Sequence, residues 1–547
     1  MKRNAPTAVL CTALAMSAAM LFALTSGQTF FQDTWAFLLD RQDFSADAFL
    51  KPHNEHIAVI PAAINKLLVA TFGMTTALPE QVVMTVAVLG AAALLFVYVR
   101  RRLGPWGALI AAVLFLYLGP AWADMIWPFQ LAFVGSALFG LAMLLALDRG
   151  DRRGDVAACV FLTLSTGFSS LGLSFLAAAV VDILLRRRSH GLSRVYLVAI
   201  PAMLYAAWWI GWGHEAERHV TLTNVLTSPR YVLEGAASAV EALLGLNKAG
   251  PDAAVPPEWG LPILIALIVL VVYGQIRRPG VSLRFWPVVA AAATNWFLEA
   301  FNSIPGREAY QNRYMYAGAL FVLLLAAELL RDMRITRRGL LVAGGVTLAA
   351  VSVNLIAFRE GGRWLDDQTL FTRADLGAIE IASRTVDPGF SLTPEIAGTG
   401  SLAIVQAGQY LQAVNDHGSP AYDIEELAMA PPVARRQADI VLSAALPVSV
   451  TVRDQAPALA NRRCVELAGG EASRFTEVPL PPGLTTIDLA PGPAAEVSLR
   501  RFATGEFPVA LDRTRGDTVT LLRIPRDESS RRWYLHVESQ QRARVCV

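Results

Sequence analysis

The amino-acid sequence predicts a polytopic α-helical membrane protein that carries a soluble domain at its C-terminal end. Of its 547 residues, 54% are hydrophobic and 17% are charged, and the mean hydropathy is +0.43. Soluble domains average about 25% charged residues, so this chain lacks the polar surface that an aqueous environment requires. The charges lie in short clusters up to Phe358 and are spread evenly from Arg359 onward. We therefore expect a membrane domain at 1–358, followed by a soluble part.

Eleven apolar stretches have the length of membrane-spanning helices, each of which needs about 20 mostly apolar residues. They cover residues 7–26, 80–99, 106–120, 129–147, 155–170, 171–185, 195–213, 260–276, 285–301, 314–330 and 339–357. The fifth and sixth are short and meet near residues 167–170, which indicates that one or both are broken helices. The first follows Lys2 and Arg3, and we interpret it as an uncleaved signal anchor rather than a cleaved signal peptide. Its apolar run exceeds the roughly 7–15 residues of a signal peptide, and no clear cleavage site follows it.

The basic residues predict the orientation of the chain in the membrane. They cluster in alternate connections between the apolar stretches: Lys2 and Arg3; Arg100, Arg101 and Arg102; Arg149, Arg152 and Arg153; Arg186, Arg187, Arg188 and Arg194; Arg277, Arg278 and Arg284; Arg331, Arg334, Arg337 and Arg338. The opposite connections carry few Lys or Arg residues, and the connection at 121–128 carries none. Because basic connections stay on the cytoplasmic side, we expect a cytoplasmic N-terminus. An odd number of spans then places the C-terminal domain outside the cytoplasm.

One further stretch, 229–247, has the composition of a helix but not that of a span. Ser228 can cap it, Pro229 suits its first position, and an Ala- and Leu-rich run follows. Both flanking segments are polar and lie on the same predicted side. We therefore expect a helix that lies along the outer leaflet rather than crossing it.

The first outward-facing loop, 27–79, is long and rich in polar side chains close to the membrane. Asp33 follows the end of the first span, and His53, Glu55 and His56 form a dense polar run further along. Any one of these groups is explained as an ordinary solvated loop residue. Because acidic, aromatic and histidine side chains are concentrated together beside the bilayer, we expect short surface helices that carry the chemistry of the protein.

Two interpretations of His53, Glu55 and His56 stay open. Two histidines three residues apart with an acid between them could hold a divalent metal ion if the segment is helical. The segment lacks the His-Glu-x-x-His pattern, and no third ligand group is evident in the sequence. The other interpretation is a hydrogen-bonded cluster that grips a polar substrate. We therefore predict no certain cofactor, with a divalent metal ion as the open alternative.

The second outward-facing loop places polar side chains between tryptophans. It reads Trp122-Ala-Asp124-Met-Ile-Trp127-Pro-Phe-Gln130. An aromatic belt at the membrane interface explains the two tryptophans by itself, but it does not explain Asp124 and Gln130. Indole faces beside hydrogen-bonding groups are what a sugar-binding surface needs, since the C–H faces of sugars stack on rings. Trp127 and Gln130 are therefore candidate sugar contacts, and Asp124 is a candidate catalytic carboxylate.

The last outward-facing loop carries arginines where basic residues are otherwise sparse. Arg307 and Arg313 lie at the outer mouth of a span, where an arginine is costly unless it is paired or used. The guanidinium group binds phosphate oxygens in pairs, so both arginines, with the neighbouring Tyr314, are candidates for holding a lipid phosphate. Snorkelling, or pairing with Glu308 or Glu299, is the alternative that stays open.

The soluble part divides into two regions by pattern, and together they predict an α+β organisation. Residues 359–446 mix helical and turn signals, whereas 447–547 alternate apolar and polar residues in short runs separated by turns. The alternation predicts a β-rich, antiparallel sandwich-like domain outside the cytoplasm. There, Cys464 and Cys546 are expected to form a disulfide, with two unpaired thiols as the alternative. The sequence of this region contains no nucleophile motif or metal cluster, so we expect binding or assembly rather than catalysis.

With these loops assembled, the membrane half resembles the GT-C superfamily of membrane glycosyltransferases. The matching features are Asp33 in Gln-Asp-Thr-Trp, the Pro-His-Asn-Glu-His run at 52–56, the segment Trp127-Pro-Phe-Gln130 and the segment Arg313-Tyr-Met-Tyr316. The resemblance covers residues 1–358 and rests on arrangement more than on strict motifs. One departure is that Thr34 follows Asp33, where the family commonly has a second acid. That acid would come from elsewhere: Asp40, Glu55 or Asp124.

The resemblance implies an enzyme that takes a sugar from a polyprenyl-phosphate carrier at the outer face of a bacterial cytoplasmic (inner) membrane. Its acceptor would be a cell-envelope glycan or lipid, and its other partner is membrane lipid. Asp33 would act as general base on the acceptor hydroxyl, and Arg313 with Arg307 would stabilise the leaving phosphate. A lipid-borne sugar needs no nucleotide site, and the sequence has no glycine-rich phosphate loop. The net charge of +2 gives no reason to expect nucleic acid.

Two other classes of function stay open on the sequence. A transporter or flippase of lipid-linked sugars usually carries ionisable groups and broken helices near the bilayer midplane. Here the spans are almost free of midplane charge, and Asp182 and Glu299 lie towards span ends. The other class is a non-catalytic envelope-assembly protein that has kept the architecture and lost the activity.

Overall fold

The computed structural model describes most of the chain. The described residues are 5–186, 193–248, 250–251, 253–277, 282–331, 336–397, 400–446, 448–453, 464–467, 474–480, 485–489, 496–511, 519–525, 527–539 and 543–546. The chain divides into two compact units. The first comprises Met1–Gly27, Arg41–Leu68 and Leu78–Leu365, and the second comprises Gln28–Asp40, Val69–Ala77 and Asp366–Val547. The first outer loop of the sequence is therefore shared between the two units.

Helices dominate the chain up to residue 445. The described α-helices are Ala5–Thr25, Thr34–Leu39, Ala46–Leu50, Val59–Phe72, Leu78–Leu116, Trp122–Ile126, Leu131–Leu147, Arg152–Phe168, Gly172–Leu185, Tyr196–Gly211, Leu222–Leu243, Gly260–Arg277, Phe285–Phe301, Asn312–Leu329, Arg337–Ile381, Pro394–Ala397, Ala407–His417, Ile424–Met429 and Pro432–Ala445. Short 3₁₀ helices lie at Gly119–Ala121, Pro128–Gln130, Gly213–Glu215 and Gly400–Leu402. All the stretches that the sequence predicts to span the membrane fall on these helices.

The apolar helices have the length and composition of membrane spans. In the described part of the chain, four are long and apolar enough to cross a membrane: Ala5–Thr25, Leu78–Leu116, Pro128–Leu147 and Arg337–Ile381. Shorter apolar helices accompany them at Val59–Phe72, Gly172–Leu185, Tyr196–Gly211 and Gly260–Tyr273. The chain is a multi-pass helical membrane protein, as the sequence predicts.

The helix Leu78–Leu116 contains two of the predicted spans, joined by a sharp break at Gly104. Gly104 adopts a φ of 77°, a left-handed value that a side chain disfavours, and Pro105 follows it. Proline lacks the N–H that would continue the helical hydrogen bonds, so the backbone changes direction here. The break separates the predicted spans at 80–99 and 106–120.

Arginines of the predicted cytoplasmic clusters form ion pairs between helix ends, and the Arg102 side chain is buried there. Arg102 lies 3.1 Å from Asp148 and also pairs with Glu328. Arg284 lies 2.7 Å from the same Asp148. Removing one partner of a buried ion pair costs about 3–5 kcal/mol, because it leaves the other charge without compensation. These pairs therefore fix the helix ends of the first unit relative to one another.

The stretch predicted as a helix on the membrane surface belongs to the helix Leu222–Leu243. Thr221 caps its start, because the Thr221 side chain accepts a hydrogen bond from the Asn224 backbone. Pro229 therefore lies inside the helix rather than at its first position. Every residue from 235 to 243 is buried, whereas a helix on a membrane surface buries one face only. The predicted surface position is wrong for this half of the helix.

The second unit has a helical core into which two short early segments pack. Its buried residues include Trp35 and Met74 from those segments and Tyr410 from the helix Ala407–His417. The rings of Trp35 and Tyr410 meet edge to face with centroids 6.0 Å apart. The Met74 N–H donates to the His417 carbonyl at 2.7 Å. Parts of the first outer loop are thus structural elements of the second unit.

The C-terminal residues form two antiparallel sheets, which confirms the predicted β-rich end. The described strands are β1 Ser449–Arg453, β2 Cys464–Leu467, β3 Arg474–Pro479, β4 Thr485–Leu489, β5 Glu496–Arg500, β6 Val509–Leu511, β7 Val519–Ile524, β8 Tyr534–Ser539 and β9 Ala543–Cys546. One sheet has the order β1-β7-β4-β9-β2 and the other β3-β8-β5-β6. In the smaller sheet, Val497 and Leu499 of β5 are buried opposite Val537 and Leu535 of β8. Alternate positions of these strands therefore face the core.

The register of β2 and β9 bears on the predicted disulfide. Cys464 lies directly opposite Cys546, and Cys464 is disulfide-bonded. Cys11 and Cys159, which lie in apolar helices of the first unit, are free cysteines. The pairing of Cys464 with Cys546 stays a prediction that peptide mapping tests.

Candidate functional site

Residues 53–56 form a tight turn rather than a helix. The His53 N–H donates to the His56 carbonyl at 3.0 Å, and the His56 N–H donates back at 2.9 Å. Asn54, between them, has a φ of 50°, a left-handed value that asparagine tolerates better than most residues. The helical premise of the metal hypothesis is therefore wrong. Among the described residues, no group of three His, Cys, Asp or Glu side chains could hold a metal ion.

The two histidine rings pack against phenylalanines at the start of the helix Leu131–Leu147. The His53 ring lies 4.8 Å from the Phe129 ring, and the His56 ring lies 5.1 Å from the Phe133 ring, both edge to face. The first and second predicted outer loops are therefore in contact at this turn. Nothing in the local sequence pattern of either loop indicates that contact.

Trp127 and Gln130, the candidate sugar contacts of the second loop, lie in the interior, and their role stays a prediction. Both side chains are buried, and Trp127 stacks on Phe129 with ring centroids 5.4 Å apart. Packing between the loops removes both residues from the surface. The Gln130 side-chain oxygen is buried without a hydrogen-bond partner in the described structure. An unsatisfied buried polar atom is uncommon and needs an explanation, which a polar ligand would supply.

Glu55 links the turn to the last predicted outer loop through an ion pair with Arg307. The Arg307 Nη1 atom lies 2.7 Å from Glu55 Oε1, and the two side chains expose 16% and 17% of their surface. The sequence offered Glu308 and Glu299 as partners of this arginine, and the structure shows Glu55 in that place. The second carboxylate oxygen of Glu55 is buried and has no hydrogen-bond partner among the described residues.

The surroundings lower the pKa values of both Glu55 and His56. Burial raises the pKa of Glu55, but the neighbouring charges of His56 and Arg307 outweigh it and hold the pKa below its usual value. Burial lowers the pKa of the His56 imidazole, against the attraction of Glu55. Glu55 is therefore ionised near neutral pH, as its ion pair with Arg307 requires.

Asp124 is a buried carboxylate that forms no ion pair with the described residues. It belongs to the short helix Trp122–Ile126, and both of its carboxylate oxygens are buried without a hydrogen-bond partner in the described structure. Burial raises its pKa well above the usual value, opposed by the Tyr316 backbone and the Arg313 charge and reinforced by the charge of Glu299. A carboxylate whose pKa is raised by burial is a candidate for a functional role, and the role of Asp124 stays a prediction.

Arg313 is the exposed cation of this cluster. Its guanidinium donates to the Gln311 side-chain oxygen at 2.7 and 3.0 Å and to the Gly306 carbonyl at 2.7 Å. In contrast to Arg307, it has no carboxylate of the described residues within ion-pairing distance. The Tyr314 ring centre lies 5.7 Å from the guanidinium carbon. Arg313 therefore presents a positive charge that a ligand anion could neutralise.

The loop that carries both arginines is positioned by the helix Leu222–Leu243. The Asn224 amide donates to two carbonyls at the start of the loop, and the Tyr231 hydroxyl donates to the Arg307 carbonyl at 3.2 Å. The loop turns at Gly306, whose φ of 86° is accessible to glycine at no steric cost. The buried half of this helix anchors these contacts to the first unit.

Asp33, the base that the family resemblance implies, belongs to the second unit. It precedes the helix Thr34–Leu39 at the capping position, where its side chain makes no capping hydrogen bond. Its neighbour Gln32 has a φ of 43°, a sparsely populated value for a residue with a side chain. Such backbone strain clusters at functional sites. The role of Asp33 stays a prediction, as does that of Asp40, which is exposed at the other end of the helix.

Sequence reasoning did not connect Glu299 or Tyr316 with Asp124. Glu299 accepts a hydrogen bond from the Asn295 side chain at 2.8 Å within the helix Phe285–Phe301, and its charge acts on Asp124. The Tyr316 hydroxyl is buried without a hydrogen-bond partner in the described structure. The sequence did contain a signal of this polar site. Asn295 and Glu299 lie four positions apart inside an apolar helix, and positions i and i+4 share one helix face.

Comparison with known proteins adds two similar structures. No protein-family model matches the sequence, and no curated protein sequence matches it. The chain is similar to ArnT from Cupriavidus metallidurans bound to undecaprenyl phosphate, with 11% identity over 82% of this chain and 93% of ArnT and a TM-score of 0.45. It is also similar to the arabinosyltransferase EmbB from Mycobacterium smegmatis, with 12% identity over 98% of this chain and a TM-score of 0.37. The match spans 64% of EmbB, just under two thirds.

Proposed function

We propose that this chain is a membrane glycosyltransferase that moves a sugar from a polyprenyl-phosphate carrier to a cell-envelope acceptor at the outer face of the membrane. The observation that carries the proposal is the meeting of three loops, far apart in sequence, around a buried carboxylate and two arginines. Asp124 supplies the carboxylate, Glu55 joins its turn to Arg307, and Arg313 presents the exposed charge. A proton acceptor beside phosphate-binding cations is what transfer from a sugar phosphate needs.

The two arginines would bind the phosphate of the donor. Arg313 is exposed and lacks a carboxylate partner among the described residues, so an incoming phosphate can pair with it directly. Arg307 is held by Glu55 at 2.7 Å, and a phosphate bound to both arginines would take over the place of that carboxylate. Guanidinium groups bind phosphate oxygens in pairs and would stabilise the polyprenyl phosphate as it leaves.

A carboxylate would accept the proton of the acceptor hydroxyl. The hydroxyl oxygen forms a bond to the anomeric carbon while the bond from that carbon to the phosphate oxygen breaks. The proton goes to the carboxylate, and the electron pair leaves with the polyprenyl phosphate. Asp124 suits this role within the first unit, because a raised pKa brings a carboxylate closer to the working pH and makes it a stronger base. Asp33 is the alternative that the resemblance implies.

The proposal places the site outside the cytoplasm of a bacterial inner membrane, with a cytoplasmic N-terminus and an external C-terminal domain. Its support is the clustering of basic residues in alternate connections. Reporter fusions after Arg153 and Arg338 should therefore read cytoplasmic, and a fusion after Gly362 should read external. A cytoplasmic signal after Gly362 would contradict the orientation and the outer location of the site.

The direct test is sugar transfer by the purified chain in nanodiscs. Polyprenyl-phosphate-linked hexoses and pentoses serve as donors, with envelope glycans and lipids as acceptors, and the release of polyprenyl phosphate is measured. We expect release by the wild type and slower release by Arg313→Ala. Arg230→Ala is the matched control, because Arg230 is exposed and pairs only with its helical neighbour Glu234 in the described structure.

The same assay separates the proposal from its alternatives. Movement of lipid-linked sugar across the membrane without any sugar transfer would replace the transferase by a transporter. The absence of both sugar transfer and lipid movement would favour an assembly protein. Rates with EDTA, and with added magnesium or manganese, measure the dependence on a divalent metal ion.

A further inference from the structure

The exposed side of the four-stranded sheet carries a continuous row of planar side chains. We name this surface the aromatic face, and it consists of Phe475, Arg500, Phe507, Tyr534 and His536. Phe475 exposes 65% of its surface and Tyr534 exposes 38%. Exposed aromatic side chains that lie side by side mark an interaction surface more often than singly scattered ones do.

Each member of the aromatic face lies against the next. His536 lies between two phenylalanines, with ring distances of 5.3 Å to Phe475 and 4.6 Å to Phe507 and interplanar angles of 29° and 32°. The Arg500 guanidinium carbon lies 4.5 Å from the centre of the Phe507 ring and 5.5 Å from that of Tyr534. The strand register explains this order, since Arg500 of β5 lies directly opposite Tyr534 of β8. Five planar groups from different parts of the second unit thus form one surface.

Polar groups of both charge signs border the aromatic face. Glu477 accepts a hydrogen bond from Arg500 at 2.8 Å, and a Glu538 carboxylate oxygen lies 3.9 Å from the His536 Nε2 atom. The His536 Nδ1 atom is buried without a hydrogen-bond partner in the described structure. The face therefore offers hydrogen-bond donors and acceptors beside its rings, and the two bordering carboxylates outnumber its one arginine.

We propose that the aromatic face binds a neutral glycan chain. Aromatic rings stack on the C–H faces of sugar rings, and sugar hydroxyls both donate to carboxylates and accept from guanidinium groups. A ligand of this kind uses both donors and acceptors, and the excess of carboxylates over arginine on this face disfavours an anionic glycan. An anionic lipid surface would need an excess of basic residues, which the aromatic face lacks. An apolar protein surface would have to bury the Glu477–Arg500 ion pair away from water, which carries a desolvation penalty.

This binding would give the second unit a ligand of its own. The inference does not depend on the proposed transferase, because a chain without sugar transfer could still bind a glycan at this face. If the transferase proposal also holds, the face would retain a polymeric acceptor on the same protein.

The test measures binding of the full-length chain in detergent to four immobilised neutral polysaccharides: arabinan, galactan, mannan and dextran. We expect saturable binding to at least one of them. The double variant Phe475→Ala, Tyr534→Ala should bind about tenfold or more weakly, because aromatic anchors carry most of the affinity of such surfaces. Phe475→Leu removes one ring but keeps an apolar side chain, and it should also weaken binding. The matched control is Val465→Ala, at an exposed apolar position of the other sheet.

The outcomes decide between the glycan and its rivals. Absence of binding to all four polysaccharides would overturn the proposal, and so would wild-type affinity in both aromatic variants. Tighter binding to liposomes that contain anionic phospholipid than to any polysaccharide would assign the face to a membrane surface. Thermal unfolding reports whether each variant folds. If the double variant does not fold, the polysaccharide binding of Phe475→Leu decides the test. Transfer to a short acceptor tests the proposed function separately, because these substitutions lie outside the first unit.

Discussion

Replacing Asp124 by asparagine separates the chemical role of this carboxylate from its structural cost. Asparagine has nearly the same size and shape but cannot accept the proton of an acceptor hydroxyl. Transfer should fall by about 10²–10⁴-fold, the usual contribution of a positioned base, which corresponds to about 3–5 kcal/mol in the activation free energy. The donor should still bind, because its phosphate is assigned to Arg313 and Arg307.

The same substitution should leave the protein at least as stable as the wild type at alkaline pH. Asp124 is fully buried, and neither of its carboxylate oxygens has a hydrogen-bond partner in the described structure. Burial raises its pKa, so the folded state holds this proton more tightly than the unfolded chain does. The free energy of unfolding therefore falls as the pH rises from the ordinary carboxylate pKa through the raised one. The variant does not titrate at this position and escapes that loss.

Initial rates and thermal unfolding, both measured from about pH 5 to pH 9, give the two readouts. The rate of the wild type should decline on the acid side at a pH above the ordinary carboxylate pKa, and the residual rate of the variant should lack that decline. Asp416→Asn, which changes an exposed aspartate of the helix Ala407–His417, should match the wild type in both. Full transfer by a folded Asp124→Asn protein would refute the catalytic role. Lower stability of that variant at every pH would refute the account of its burial.

Other variants test the remaining assignments. Asp33→Asn should retain more transfer than Asp124→Asn in the same rate measurement, and the reverse order would assign the base to Asp33. Arg313→Ala should weaken the binding of polyprenyl phosphate and slow the remaining turnover. Glu55→Gln should instead tighten that binding about two- to fivefold, since it releases Arg307 from an ion pair worth up to about 1 kcal/mol. Equal or weaker binding in a titration would contradict the idea that phosphate takes the place of the Glu55 carboxylate beside Arg307. Non-reducing peptide mapping should find Cys464 linked to Cys546, and free thiols at both positions in protein from its native envelope would contradict the disulfide.

Local composition was sufficient to predict the membrane spans and the β-rich C-terminal end. A lipid environment requires long apolar runs, because every backbone polar group must be satisfied within its own helix. The separation of the spans at 80–99 and 106–120 was predictable for a related reason, since the basic residues 100–102 interrupt the apolar run. The period-two alternation after residue 447 likewise indicated strands, because successive side chains of a strand point to opposite faces.

The position of an element relative to its neighbours could not be predicted in this way. The stretch 229–247 looked like a surface helix because its flanks are polar, yet residues 235–243 are all buried. Trp127 looked like a ring available to a sugar, yet it stacks on Phe129 and is buried. In both cases the burial comes from residues distant in sequence, which composition within a window does not contain.

The sequence by itself determined which side chains are candidates for chemistry. Charged groups next to apolar spans, such as Asp124 and the two arginines at 307 and 313, stand out because the bilayer makes them costly. Only the tertiary structure decided their partners: Glu55 pairs with Arg307 across 252 residues of sequence, and Asp124 has no hydrogen-bond partner among the described residues. Ion pairing and burial depend on distance in space, and two of these residues meet only because their loops fold against each other. That is why the residue types were predictable and their ionisation and pairing were not.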